Sequence, residues 1–168
     1  MKLLLPIVIV MLLPMQARAA ETIAPVPDQE TKDFSRYGYE TNYYNGLFHG
    51  VHDYCQAKVD KFLLDSSLDS WTKNNGAYIN AADDAIVKFV ARRVEKSDAT
   101  RVTKALQAQN LATFQKTREN NVLLKSIKES KDEPTACSYN LGVLVSHSFY
   151  FQKIAPKSYQ YWVDNLKP

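Results

Sequence analysis

The sequence predicts a mainly α protein: an irregular bundle of four main helices plus a short C-terminal helix, closed by one inter-helix disulfide. Three observations carry that expectation. Apolar residues recur at three- and four-residue steps along most of the chain, which traces one face of a helix. Sustained period-two alternation is missing; Val143 to Phe151, rich in β-branched and aromatic residues, is the one stretch that could pass for a strand. The two cysteines, Cys55 and Cys137, each fall on the apolar seam of their own predicted helix.

The N-terminus comes first. Met1-Lys2 is basic, Leu3 to Met15 is almost unbroken apolar chain, and Ala17-Arg18-Ala19 offers small residues to a signal peptidase. That is the layout of a secretory signal over residues 1–19, with the cut after Ala19. The apolar run falls short of the roughly 20 residues a membrane span needs. Pro6 and Pro14 also interrupt it, and no cysteine near the cut could take a lipid. An uncleaved anchor is the rival reading. Residues 20–33, with Pro25 and Pro27, read as a flexible leader, and residues 34–168 as a single helical domain.

Charge narrows the function classes. The formal net charge of the whole chain is +3. Lys2 and Arg18 leave with the signal, so the rest is nearly neutral. A nucleic-acid binder shows a basic face; the local basic stretch Arg101 to Lys131 fits a solvated helix better.

The first helix is expected over about 42–64, burying Tyr44, Phe48, Val51, Cys55, Val59 and Phe62. Ser66 to Asn75 reads as a connection ending in the turn signal Asn74-Asn75-Gly76. A second helix spans about 77–96, with Ala82, Ala85, Ile86, Phe89, Val90 and Val94 inward. Asp84 and Lys88 pair four apart on its wet side. Ser97-Asp98 offers a cap for a third helix, which carries Val102, Ala105, Leu106, Ala112 and later Leu123, Leu124 and Ile127. Its middle is polar nearly all round, so it either bulges into solvent or breaks near Asn120-Asn121. Thr135 can cap a fourth helix over about 136–154, apolar enough to be central. Pro156 suits the first turn of a last helix that folds Tyr159, Trp162, Val163 and Leu166 back onto the body.

In an oxidising compartment the even pair Cys55–Cys137 is expected to bond. Their seams hold Tyr44, Phe48 and Val51 on one side, and Leu141, Leu144, Ser148 and Phe151 on the other. Gly46 and Gly50 make a small-residue strip on the first helix, and Ser138, Gly142 and Ser146 another on the fourth. Such strips either admit a neighbouring backbone or are merely tolerated.

Catalytic patterns are scarce. There is no Gly-x-Ser-x-Gly elbow, phosphate loop, nucleotide fingerprint or calcium loop. Asp83-Asp84 are adjacent and read as solvated, whereas glycosidic chemistry needs carboxyls facing across a cleft. His49, His52 and His147 are weak candidates for a zinc-type site; on a helical wheel His49 lies well off the cysteine seam. No metal and no cofactor is expected. Aromatic residues are the remaining excess: Tyr37, Tyr39, Tyr43 and Tyr44 near one end, and Tyr150, Tyr159, Tyr161 and Trp162 near the other. Such rings more often seal a helical core. Tyr43, Tyr161 and Trp162 are the candidates for a binding surface, because Tyr and Trp enrich such surfaces. The expectation is a periplasmic or secreted, non-catalytic protein that binds another protein of the cell envelope, of inhibitor, immunity or chaperone type. It has no nucleic acid partner and no membrane span after signal cleavage. An envelope hydrolase or a metal- or ligand-binding protein is the alternative.

Overall fold

A computed structural model describes residues 28–166. The signal segment 1–19 and leader residues 20–27 lie outside the described residues. Chain up to Lys32 belongs to a separate unit. In its described part Asp28 Oδ1 accepts from the Thr31 N–H at 2.8 Å, a helix-opening contact.

The helices are α1 (Gln29–Cys55), α2 (Lys61–Arg93), α3 (Lys96–Glu119), α4 (Val122–Lys128) and α5 (Glu133–Leu144). A 3-10 turn (His147–Phe149), α6 (Phe151–Ile154) and α7 (Pro156–Leu166) complete the chain. No strand occurs among the described residues, so Val143 to Phe151 is not one. The mainly α expectation holds. The first helix starts at Gln29 rather than near Asn42, so residues 29–33 of the expected leader are helical; the helix bounds differ in four further places, each with a physical reason.

The first helix ends at Cys55 rather than near Leu64. Lys58 and Val59 N–H groups both turn back to the Cys55 carbonyl, and Asp60 then caps α2 by accepting from Leu63 N–H at 2.9 Å. Phe62, expected in the core, sits in the first turn of α2 and is 82% exposed. Second, α2 runs straight through Ser66 to Gly76. Asn75 is fully buried, and its Oδ1 accepts from the Phe151 N–H at 3.0 Å. A tertiary partner thus replaces the local turn contacts that asparagine otherwise favours.

Third, α3 begins at Lys96 without a side-chain cap, and the chain does break at Asn120-Asn121. Asn121 caps α4 by accepting from Leu124 N–H at 2.9 Å, while its Nδ2 donates to Thr117 O. Between the breaks α3 is largely wet: Thr117 is its buried residue, and Ala105 and Ala112 are exposed. Fourth, the predicted helix 136–154 is three pieces. It starts earlier, with Asp132 capping at Thr135 and Pro134 in the first turn. It stops at Leu144, where Ser146 Oγ donates to Val143 O.

Two apolar clusters hold these elements. One joins Leu47, Phe48 and Val51 of α1 to Trp71 of α2, Leu124 and Ile127 of α4, Leu141 and Leu144 of α5, and Phe151. Phe48 and Trp71 stack at its centre, centroids 4.5 Å apart and planes 3° from parallel. The other gathers Phe34 of α1, Ala82, Ala85, Ile86, Phe89 and Val90 of α2, and Trp162 of α7. The Cys55–Cys137 disulfide lies in the first cluster, with Cα atoms 5.6 Å apart, and joins α1 to α5.

The two glycine strips behave differently. A Cβ on Gly46 would stand 2.6 Å from Phe114 O, and one on Gly50 2.3 Å from Arg118 O. The strip on α1 therefore admits the backbone of α3, not that of the disulfide-linked helix. Gly142 has nothing within 4 Å of a built Cβ. Gly50→Ala should lower stability by about 1–3 kcal/mol, because a rigid carbonyl cannot move aside. Gly142→Ala should raise it by up to about 1 kcal/mol through helix propensity alone. Urea unfolding of both variants reads the opposite signs; equal shifts would mean that the α1–α3 crossing tolerates a methyl group.

Candidate functional site

Residues 36, 39, 40, 43 and 44 lie on one face of α1, three and four residues apart. With the α6–α7 corner, Ile154 to Lys157, they line a groove of about 550 Å³. Volumes of that order suit a small ligand or one or two side chains of a partner.

Each wall is fixed from within. Tyr44 packs edge-on against Phe149 and Phe151, with centroids 6.4 and 6.0 Å away, so it anchors the groove to the core. Tyr43 stands edge-on to Tyr44 at 5.3 Å. Tyr39 lies nearly parallel to Tyr43, 6.1 Å between centroids and 20° between planes, and is 55% exposed. Across the groove, Ser158 is fully buried and its hydroxyl donates to Glu40 Oε2, which ties the corner to α1. The other Glu40 oxygen accepts from Arg36 Nε at 3.0 Å. Both oxygens of the groove's carboxylate are therefore engaged inside the fold. Among the described residues the Tyr39 and Tyr43 hydroxyls and the Lys157 ammonium have no partner.

The sequence-based candidates sort as follows. Tyr43 lines the groove. Tyr161 is half-buried against Tyr37, 4.9 Å between centroids, and burial pushes its hydroxyl pKa up. Trp162, expected at a binding surface, is instead 0% exposed, and its Nε1 donates to Thr41 Oγ1 at 2.9 Å. Its indole belongs to the core. Tyr159 also turns inward, pairing with Tyr78 at 4.6 Å; the Tyr78 hydroxyl donates to it and is pushed up to about 12. Asp83 and Asp84 are both exposed. Arg36, Glu40 and Lys157 were not anticipated. The four-residue spacing of Arg36 and Glu40 was a legible signal; nothing local marked Lys157.

His49 lies at the α1–α3 contact, and His49 and His52 both act as packing rings. His49 meets Phe48 and Phe114 edge-on at 5.3 and 5.7 Å. His52 tilts over Phe48 at 5.7 Å; its Nδ1 is 3.6 Å from Asp53 Oδ1, and its buried Nε2 has no hydrogen-bond partner among the described residues. The His147 side chain lies outside the described residues. Among the described residues no three His, Cys, Asp or Glu side chains cluster as metal ligands.

Burial holds the His49 pKa below its usual value, assisted by His52 and Arg118 and opposed by Asp53. The unfolded chain therefore binds a proton that the folded chain does not, in the window just below the unfolded value of about 6.5. Stability should fall as pH drops through that window and level off below the folded value. Melting curves from neutral pH to mildly acidic pH should show a smaller acid-side loss in His49→Gln than in the native protein. An unchanged slope would assign the effect to carboxylates instead.

Five exposed large apolar side chains, Phe62, Val87, Leu111, Val122 and Tyr139, are spread over four helices. Single exposed residues of this kind are ordinary. Tyr39, an exposed ring, lines the groove. No helix among the described residues is long and apolar enough to cross a membrane. No protein-family model, curated protein or solved structure matches this chain.

Proposed function

We propose that this is an exported, non-catalytic binding protein of the cell envelope that engages another protein through the Tyr39–Tyr43 groove. The observation that carries the reading is the groove's idle capacity: two tyrosine hydroxyls and one ammonium without a partner among the described residues, beside a ring more than half exposed. Tyrosine supplies a broad amphipathic contact surface with few torsions to freeze, which suits it to binding surfaces. Export rests on the signal layout of residues 1–19. The disulfide fits an oxidising compartment. The inhibitor, immunity or chaperone type stays within this proposal, and the groove is where each would seat its partner.

The test is a photo-reactive phenylalanine analogue at position 39, in the full precursor expressed in its native host. Illumination should give one discrete protein adduct in the envelope fraction. Unmodified mature protein should compete it away, and an analogue at Val87 should not form it. A position-39 label that forms no adduct, or one indistinguishable from that at Val87, would remove the groove from the argument.

A further inference from the structure

The groove has a charge and a length scale as well as rings. Its one carboxylate, Glu40, is neutralised by Arg36 and by the hydroxyl of buried Ser158. Lys157, on the opposite wall, has no anionic partner among the described residues. The side chain of Arg36 remains 61% exposed although its Nε is engaged. The recognition surface is thus net cationic, although the protein as a whole carries little charge. Donors dominate it: guanidinium, ammonium and two phenol groups.

The length scale comes from the rings. Tyr39 and Tyr43 are 6.1 Å apart and nearly parallel. An extended peptide rises about 3.1–3.4 Å per residue, so side chains two residues apart on one face repeat at roughly 6–7 Å. An extended chain can therefore set two same-face side chains on the two rings. A single small anion would leave one ring idle.

We infer that the partner presents an extended acidic peptide segment: two apolar or aromatic side chains two residues apart on Tyr39 and Tyr43, flanked by carboxylates that accept from Lys157 and Arg36. This rests on the proposed binding function and narrows it to one class of ligand. Charge-assisted hydrogen bonds to Arg and Lys supply orientation, and the rings supply contact area.

The experiment uses fluorescein-labelled synthetic peptides with one tryptophan and one leucine two residues apart, flanked by glutamates, glutamines or lysines. Fluorescence anisotropy is read on the mature protein. The glutamate peptide should bind best, and its binding should weaken as salt is raised. Lys157→Glu should weaken it about tenfold or more and shift preference to the lysine peptide, the signature of a charge contact. Tyr39→Ala should weaken all three peptides alike. Both sites are exposed, so unchanged melting curves confirm that the variants fold. Equal binding of the three peptides, or none tighter than about 1 mM, would sink the inference. So would an acidic saccharide such as oligogalacturonate displacing the glutamate peptide while binding more tightly. If the peptides fail but the position-39 adduct still forms, protein binding stands and the acidic-segment assignment falls. If both fail, the groove is not the binding surface.

Discussion

Trp162→Ala is expected to lower folding stability by about 3–5 kcal/mol, the range for truncating a large buried aromatic residue. The indole is 0% exposed. It lies edge-on to Phe34 of α1, 6.1 Å between centroids at 84°, and Phe34 in turn stacks on Phe89 of α2 at 4.2 Å. Its Nε1–H donates to Thr41 Oγ1, and that hydroxyl donates to Tyr37 O at 2.9 Å. Removing the ring opens a cavity between three helices and deletes one hydrogen bond. A loss of that size is about one fifth to all of a small domain's usual margin of about 5–15 kcal/mol. Trp162→Phe keeps most of the volume and loses the bond, so about 1–2 kcal/mol is expected. Urea unfolding should show both midpoints shifted in that order at unchanged slope. The effect reaches the groove, because α7 carries Lys157 and Ser158. Peptide binding should fade with the folded fraction, not ahead of it. A loss below about 1 kcal/mol would mean that α7 is undocked in solution, and the second groove wall would go with it.

Local pattern reached some parts of this molecule and not others. The disulfide was legible because each cysteine lay on an apolar seam, a property of single helices. The buried face of α2, from Ala82 to Val90, was legible for the same reason. Element ends were not, wherever a distant partner set them. Asn75 looked like a turn because its acceptor role toward Phe151 N–H depends on a residue 76 positions away. Leu144 looked internal to a helix because Val145, Phe149 and Phe151 continue the apolar pattern beyond it, yet Ser146 closes the helix with its own hydroxyl. Trp162 looked eligible for a surface because composition does not reveal Thr41 waiting across the chain. The groove was half legible. Tyr43 is marked by the aromatic crowding on α1. Lys157 is not, since it meets that face only after the chain has turned at Ala155-Pro156.

Removing the cross-link should produce the second large effect. Cys55→Ala together with Cys137→Ala is expected to lower stability by about 2–4 kcal/mol, or roughly 5–15 °C in melting temperature for a domain of this size. The bond closes a loop with a sequence separation of 82 residues. The chain-entropy account places a loop of that length near the top of its range, about 4.5 kcal/mol. Measured losses usually fall below that value, because denatured chains keep some structure. Alanine is the right replacement at both sites. Both sulfurs lie at 0% exposure among Val51, Ile127 and Leu141, so serine would bury two hydroxyls in an apolar cluster. The double serine variant should therefore melt earlier than the double alanine variant, and the difference between them reads hydroxyl desolvation rather than the cross-link. Burial also protects the native bond. A thiol reductant reaches the sulfurs only when α1 and α5 separate, so reduction without denaturant should track the opening rate and be slow. The ion pair of Lys58 with Glu133 at 2.8 Å, and the Tyr54 hydroxyl donating to the same carboxylate at 2.8 Å, still join α5 to the end of α1 and the turn after it in the alanine variant. These partly exposed contacts are worth little beside the bond. Groove binding should persist in the alanine variant below its melting point, since the disulfide pins the far end of α1 from Tyr39. Two thiols that alkylate freely in native, non-reduced protein would contradict the α1–α5 pairing itself.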